Sequence, residues 1–462
     1  MKQATTRADM AHGERPVARQ GLSLSLPDTI AIIVGIVIGA GIFRFPSLVA
    51  ANAGSEAGVI FIWLAGGAVS FIGALCYAEL TTTYAHSGGD YYYLRLAFGH
   101  GLAFLFAWAR TTVIQTGTIA ISAFLIGDYL SEVYSFGTLT SPIYAVMAVL
   151  ILTVVNVMGI KQAKWTQNLL AAAIVTGLAV VVIAGLHLAG AGAPAPYKPS
   201  PTAPAPQLHF APGLAMIFVL YTYGGWNEAA YVSAEVRNAQ RNMVRALLIG
   251  IAVITTTYLA VNLAFLKSLG LAGMAESNAV AADLMRRVAG EGGARFISIL
   301  IVIAGLSTAN ATIITGARTS FALGRDFPIL SFLGVWKEPA NVPVNAFLVQ
   351  SAIACALIAM GALTREQNGL QTMVDYTAPV FWFFFLLVGI ALLVLRRKEP
   401  LAIRPFRVPL YPFTPLVFCA VCLYMLRSSI AYTGIGALVG VGVLLLGLPL
   451  FLCARRHKAF ES

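Results

Sequence analysis

Two glycine-interrupted stretches carry the residues best placed to do chemistry: GIVIGAGIF (35–43), with Gly35, Gly39 and Gly41, and YTYGGWN (221–227), with Gly224 and Gly225. Each sits inside an apolar run long enough to cross a bilayer. A helix broken at membrane depth leaves N–H and C=O groups without partners, and these are tolerated only where a cavity or ligand satisfies them. Matching breaks in corresponding places of two halves point to a transporter's binding site. The N–H groups of a half-helix starting near Ala40, Gly41 and Ile42 would hold a carboxylate, helped by the helix dipole. Carbonyls facing them would hold an ammonium. A zwitterion with both groups on one carbon, an α-amino acid, fits that pair of breaks. The plainer reading, that Gly35 and Gly39 in GxxxG spacing only let helices pack closely, is weakened by the second break.

Ionisable side chains inside apolar spans come next, because charge in hydrocarbon is costly and is retained for function. Arg44 lies three residues beyond Gly41, and Glu228 adjoins Asn227. We expect the two to pair across the outer side of the site, with Glu228 taking up a proton if the pocket desolvates it. A permanent structural ion pair is the equal alternative. Arg110, Glu79 and Glu235 are weaker candidates. The last two lie near cytoplasmic ends, within reach of basic loop residues such as Arg95 or Arg241. His12, His86, His100, His187, His209 and His457 are scattered without ligand spacing and support neither zinc nor catalysis. Cys76, Cys355, Cys419, Cys422 and Cys453 lie in or beside apolar spans, where packing is the expected role. No metal cluster, disulfide or cofactor is expected.

The elements that position these residues are membrane helices. Hydrophobic residues make up 58% of the 462 positions and charged residues 11%, far below the roughly 25% charged of soluble domains. Runs of about 20 apolar residues, the length of a span, predict twelve transmembrane helices at 28–52, 58–84, 101–127, 141–159, 166–189, 210–232, 244–267, 295–320, 342–362, 372–395, 409–427 and 431–453. The net charge of +11 could mean nucleic acid, but the placement of the basic residues excludes it. With the N-terminus cytoplasmic, the 30 Lys and Arg divide into 21 inside, seven outside, and Arg44 and Arg110 within spans. That is the positive-inside bias. It predicts a multi-pass protein of the cell (inner or plasma) membrane with both termini cytoplasmic.

A Pro- and Ala-rich segment, Pro194 to Pro206, cannot continue a helix and separates two sets of five spans. An odd number per set makes the second set enter the membrane inverted. The chain therefore divides into a cytoplasmic tail (1–27), a first repeat (28–189), an external loop (190–209), an inverted second repeat (210–395), a cytoplasmic loop with the last two spans (396–453) and a C-terminal tail (454–462). Ala275 to Gly290 reads as a short surface helix, and Ser87 to Phe98 as an interfacial segment with Tyr at headgroup level. No Walker A motif or coenzyme fingerprint is present, since GAGIFR lacks the third Gly and lies inside a span; transport would be secondary.

The chain resembles the amino acid–polyamine–organocation superfamily, and within it the L-type amino acid transporters and their bacterial relatives. GAGIF (39–43), CYAEL (76–80), SGGDYYYL (87–94), YGGWN (223–227), EVRNAQRN (235–242), GARTSFALGRDFP (316–328) and RPFRVPLYPFTP (404–415) carry the likeness, in order, through nearly the whole length. The resemblance implies an all-α fold of twelve helices with a five-plus-five inverted repeat, broken helices 1 and 6, and alternating access driven by exchange or an ion gradient. It implies a carboxylate clamp from the backbone of Ala40 and Gly41 with Ile42 beside them, ammonium acceptors at the carbonyls of Ile38, Tyr221 and Gly224, and a pocket lined and closed by Trp226 and Asn227, with Tyr221 as aromatic gate.

Departures from the pattern matter. L-type relatives carry a Lys in the fifth span seven residues after a Gln; here Gln167 is followed by Ile174. Ser307 and Thr308 fall where sodium-coupled relatives of this fold place hydroxyls, so a sodium ion between Gly35, Ile38, Ser307 and Thr308 is one expectation, against hydroxyls that merely bond their own helix. The loop Ser131 to Ser141 lacks the Cys that ties animal L-type relatives to a heavy chain, so no disulfide-linked partner is expected. Exchange, proton symport and sodium symport all stay open as coupling modes; a polyamine or organocation substrate, a channel and a membrane-embedded enzyme are the rivals, and no convergent nucleophile, base or metal site supports the enzyme.

Overall fold

The computed structural model describes residues 24–86, 88–158, 176–185, 187, 210–233, 236–337, 342–363, 369–432 and 435–460. Among them the chain is helical, with three isolated β-bridges and no strand. Eight helices are long and apolar enough to cross a bilayer, and three shorter apolar helices accompany them. In chain order the helices are α1 (Leu26–Val37), α2 (Phe45–Asn52), α3 (Glu56–Thr83), α4 (Gly89–Phe98), α5 (His100–Ala109), α6 (Gln115–Val133), α7 (Thr140–Val157), α8 (Thr176–Gly185), α9 (Pro212–Tyr223), α10 (Ala229–Val232), α11 (Ala239–Glu276), α12 (Val280–Asp326), α13 (Val344–Leu363), α14 (Gly369–Lys398), α15 (Phe413–Tyr432) and α16 (Ile435–Phe460). Large apolar side chains stay exposed on the outer faces, among them Phe61, Leu64, Ile151, Val154 and Leu446. Hydrocarbon, not water, suits such a belt. This is an integral, multi-pass membrane protein.

Local chemistry sets where the helices begin. Ser25 and Asp28 form a capping box ahead of α1, with the Asp28 carboxylate accepting from the Ser25 backbone N–H at 3.0 Å. Ser55 caps α3 by accepting from Gly58 N at 3.0 Å. The expected run at 409–427 starts late, at Phe413, because Leu410 takes φ +53°, outside the right-handed helical region. Pairing follows a pattern: α3 packs on α11, α6 on α12 and α7 on α13. The core between them is aromatic, with Tyr258 edge-on to Trp63 at 5.6 Å and to Tyr223 at 5.0 Å.

Two segments read at the surface each bury one face. α4 packs against α14 and α10, with Asp90, Tyr93 and Leu94 buried. Gly89 permits this, since it has φ +47° and a Cβ there would lie 2.9 Å from the Tyr231 ring. The segment from Ala275 is helical from Val280, but one face is buried through Val280, Ala281, Leu284 and Met285. It breaks from the long span at Ala289 and Gly290, the latter with φ +64°. Its Arg286 meets Glu132 at 3.2 Å and Glu291 at 2.7 Å. The Pro- and Ala-rich linker, Gln167, Ile174 and Glu235 lie outside the described residues.

Candidate functional site

The first apolar span is broken where the glycines predict it. α1 ends at Val37; Ile38 (φ −73°, ψ 81°) makes an inverse γ-turn closed by Gly39 N donating to Val37 O at 2.7 Å, Gly39 (φ −104°, ψ −171°) is extended, and a 3-10 turn over Ala40–Phe43 leads to α2. The sixth breaks likewise: α9 ends at Tyr223, Gly224 is extended, and Gly225 takes φ +109° before a 3-10 turn over Trp226–Glu228. Only glycine adopts that φ readily. The breaks touch, since a Cβ on Gly225 would stand 3.0 Å from Ile36 Cγ2. Tyr258 joins them from α11: its hydroxyl is 2.9 Å from the Val37 carbonyl oxygen and 3.0 Å from that of Thr222. Its aromatic ring, commonplace in an apolar run, gave no signal of that role.

The two broken spans run antiparallel. Ala211 N donates to Asn52 O at 3.0 Å at one end, and Arg237 N to Leu24 O at 2.9 Å at the other. Residues that follow the first break therefore lie on the side of residues that precede the second. This corrects the expected pairing of Arg44 with Glu228, which the geometry sends to opposite sides. Arg44 donates instead to Ser47 Oγ (2.8 Å), the Ser277 carbonyl (3.1 Å) and Asn278 Oδ1 (3.3 Å). Glu228 pairs with Arg110, whose Nη2 donates to both carboxylate oxygens at 2.9 and 2.7 Å. Arg110 opens a π-helical turn, Arg110–Ile114, between α5 and α6, a distortion frequent at functional sites. Its guanidinium lies 4.5 Å from the Tyr231 ring centroid. Glu79 also finds other partners than Arg95 or Arg241: it accepts from Arg396 Nε (2.7 Å), lies 3.5 Å from Arg404 Nε, and accepts from the Val408 backbone N–H (2.7 Å).

Between the breaks lies a cavity of about 200 Å³. Of the residues singled out in the sequence, Gly35, Gly39, Gly41, Tyr221, Gly224, Gly225, Asn227, Glu228 and Thr308 line it. Ile38 and Ile42 are buried in the core. Ala40 heads the 3-10 turn. Trp226 stands behind the wall, 5.1 Å from Tyr77 and 5.7 Å from the wall residue Phe385. Ser307 is fully buried, whereas Thr308 Oγ1 would be 2.9 Å from a Cβ on Gly39. Phe45 closes the side toward α2 and α9, stacked on Phe218 at 5.9 Å and edge-on to Tyr221 at 5.8 Å. The Tyr221 hydroxyl is 3.1 Å from Thr118 Oγ1. Asp90 and Arg110 also reach the wall. Neither was a leading candidate, because only the folded chain brings them to the second break.

A family model described as amino acid permease matches residues 24–442. The mouse b(0,+)-type amino acid transporter 1 is 30% identical over 405 residues, 87% of this chain and 81% of the relative. The mouse large neutral amino acids transporter small subunit 2 is 28% identical over 437 residues, 93% of this chain and 80% of the relative. The human cystine/glutamate transporter is 26% identical over 426 residues, 91% and 83% of the two chains. The match to the family runs through both breaks and every element that lines the cavity, and the chain belongs to the amino acid permease family, a membrane transporter and not an enzyme.

Proposed function

We propose that the protein carries α-amino acids across the membrane by alternating access, with the substrate held between the two helix breaks. The facing breaks around the cavity between them carry this reading. The backbone N–H groups of Ala40, Gly41 and Ile42 receive the carboxylate, and the carbonyls of Ile38, Tyr221 and Gly224 receive the ammonium. Trp226 and Asn227 shape and back the pocket, and Tyr221 with Phe45 forms its gate. The names of the relatives, all amino acid transporters, support the substrate class.

In this reading the chain makes twelve crossings, α1–α2 and α9–α10 each counting as one broken span, in two inverted sets of five plus two. Packing of spans five apart in the chain, α3 on α11, α6 on α12 and α7 on α13, supports such a repeat. Both termini face the cytoplasm, and no disulfide-linked heavy chain takes part. Movement is by exchange or ion-coupled symport. A sodium ion among Gly35, Ile38, Ser307 and Thr308 is a second coupling reading, favoured by the closeness of Thr308 to Gly39.

The test is uptake of radiolabelled L-amino acids into proteoliposomes, empty or preloaded, under separate sodium and pH gradients. Uptake only into preloaded vesicles identifies an exchanger. Concentrative uptake under one gradient names the ion, and no uptake of any amino acid defeats the reading.

A further inference from the structure

Pairing of Glu228 with Arg110 leaves another carboxylate on the cavity wall without a cation of its own. Asp90 opens α4, is 2% exposed, and its Oδ1 is buried with no hydrogen-bond partner. The groups that face it are the Tyr77 hydroxyl from α3, Arg110 from the π turn, Asn227 and Glu228 from the second break, Tyr231 from α10 and Tyr93 from its own helix. From α14, the wall residues are Phe381, Phe384 and Phe385, none ionisable, and Lys398 donates to the Ala97 carbonyl at the far end of α4. Two carboxylates thus share one guanidinium. Arg110 gives both hydrogen bonds of its Nη2 to Glu228, so the buried cluster holds one negative charge in excess when all three groups are ionised. An uncompensated charge in such a place is relieved by binding a cation or a proton.

We propose that Asp90 is a proton-binding site of the transport cycle, loading a proton from water on the acidic side and releasing it on the other, so that a pH gradient drives accumulation of the substrate. The site rests on the transport reading above, and it commits that reading to one coupling ion. Three features support it. The carboxyl lines the same cavity as both breaks, so substrate and proton respond to the same opening and closing. The Asn227 side chain belongs at once to the second break and to the surroundings of Asp90. Burial pushes the Asp90 carboxyl up to about 7, against the downward pull of Arg110. The sign follows: below that pH the proton is held and the cluster is neutral; above it the proton leaves and the excess negative charge returns. Placement beside neutral pH lets modest gradients load and empty the group.

The experiment compares gradient-driven accumulation with counterflow in proteoliposomes, using radiolabelled neutral, cationic and acidic L-amino acids. One coupled proton supports about tenfold accumulation per pH unit, since tenfold in concentration and one unit of pH are the same free energy. Wild-type protein is expected to accumulate at least one of these in empty vesicles with an acidic exterior, and to lose the gradient with a protonophore. In Asp90→Asn the ratio of accumulation to counterflow is expected to fall about tenfold, and Asp90→Glu should restore much of it.

Counterflow by the wild type with no accumulation under the pH gradient, or accumulation under a sodium gradient alone, overturns the proton site and leaves the transport reading standing. An Asp90→Asn variant that still accumulates overturns it as well. No movement in either assay defeats the transport reading itself. If Asp90→Asn fails to fold, the wild type still decides: substrate-induced proton uptake, read by a trapped pH dye, must titrate between about pH 6 and 8, and a flat profile across that window refutes the site.

Discussion

Arg110 and Glu228 illustrate what a charge needs in order to persist at membrane depth. The arginine side chain is 4% exposed and the glutamate 20%, so each is desolvated enough to require the other. Removing one partner of such a pair leaves an uncompensated buried charge, which costs about 3–5 kcal/mol, whereas replacing both by apolar residues of similar volume is often neutral. Arg110→Met is therefore expected to lower the thermal unfolding midpoint of the purified protein in detergent, and Arg110→Met with Glu228→Met to recover most of the loss. Fluorescence-detected thermal unfolding measures both. A double variant no more stable than the single would show that the pair is not what holds these residues in place. The sequence identified Glu228 as a functional candidate, because carboxylates in spans are rare. It did not identify its partner, because Arg44 and Arg110 are equally anomalous on paper and only the antiparallel course of the two broken spans separates them.

Among the elements, the breaks discriminate between glycines of the same motif. Gly225 has φ +109° and faces Ile36; an L-residue there meets both a backbone penalty of roughly 1–2 kcal/mol and a tight contact. A methyl group added at Gly35 would have no heavy atom within 4 Å, and the position opens on the cavity. Gly225→Ala is expected to reduce the yield of folded protein and abolish transport. Gly35→Ala should match or exceed the wild type in stability, by roughly 0.5–1 kcal/mol from the helix preference of alanine, while altering substrate affinity. Size-exclusion profiles and counterflow rates separate the two outcomes.

The stretch 399–412 after α14 is held by a different device. Glu79, 1% exposed, binds Arg396 and the Val408 N–H and lies near Arg404, and the Arg396 guanidinium covers the Tyr411 ring at 3.8 Å. Glu79→Gln removes the charge that gathers these groups, and limited trypsin digestion should then cut after Arg407 sooner than in the wild type. Equal digestion rates would show the loop to be anchored by other contacts.

For the whole molecule, the paired packing of α3 with α11, α6 with α12 and α7 with α13 has a consequence for orientation. If these spans form two inverted sets, an even number of crossings returns the chain to the side where it began. A reporter enzyme active only outside the cytoplasm, fused after the C-terminus, is expected to be silent, and the same reporter inserted in the Pro- and Ala-rich segment to be active. Activity at the C-terminus would refute its cytoplasmic placement, and activity at both positions would refute the seven crossings between them. The basic residues that predict this orientation act one by one at the membrane surface, so a count along the sequence reads them without any fold.

By itself the sequence determined what depends on local or additive physics. Apolar run length and sparse charge required membrane helices; Gly39, Gly41, Gly224 and Gly225 marked where two of them break, since backbone freedom is a property of single residues. Tertiary structure decided what depends on which elements meet. It brought Asp90 of a segment expected at the headgroups into the cavity wall, set Arg110 on Glu228 and Arg44 elsewhere, and placed the Tyr258 hydroxyl between carbonyls of both breaks. Each of these contacts joins residues more than 30 positions apart, and in hydrocarbon the partner of a polar group is chosen by helix packing, for which no run of neighbouring residues carries a signature.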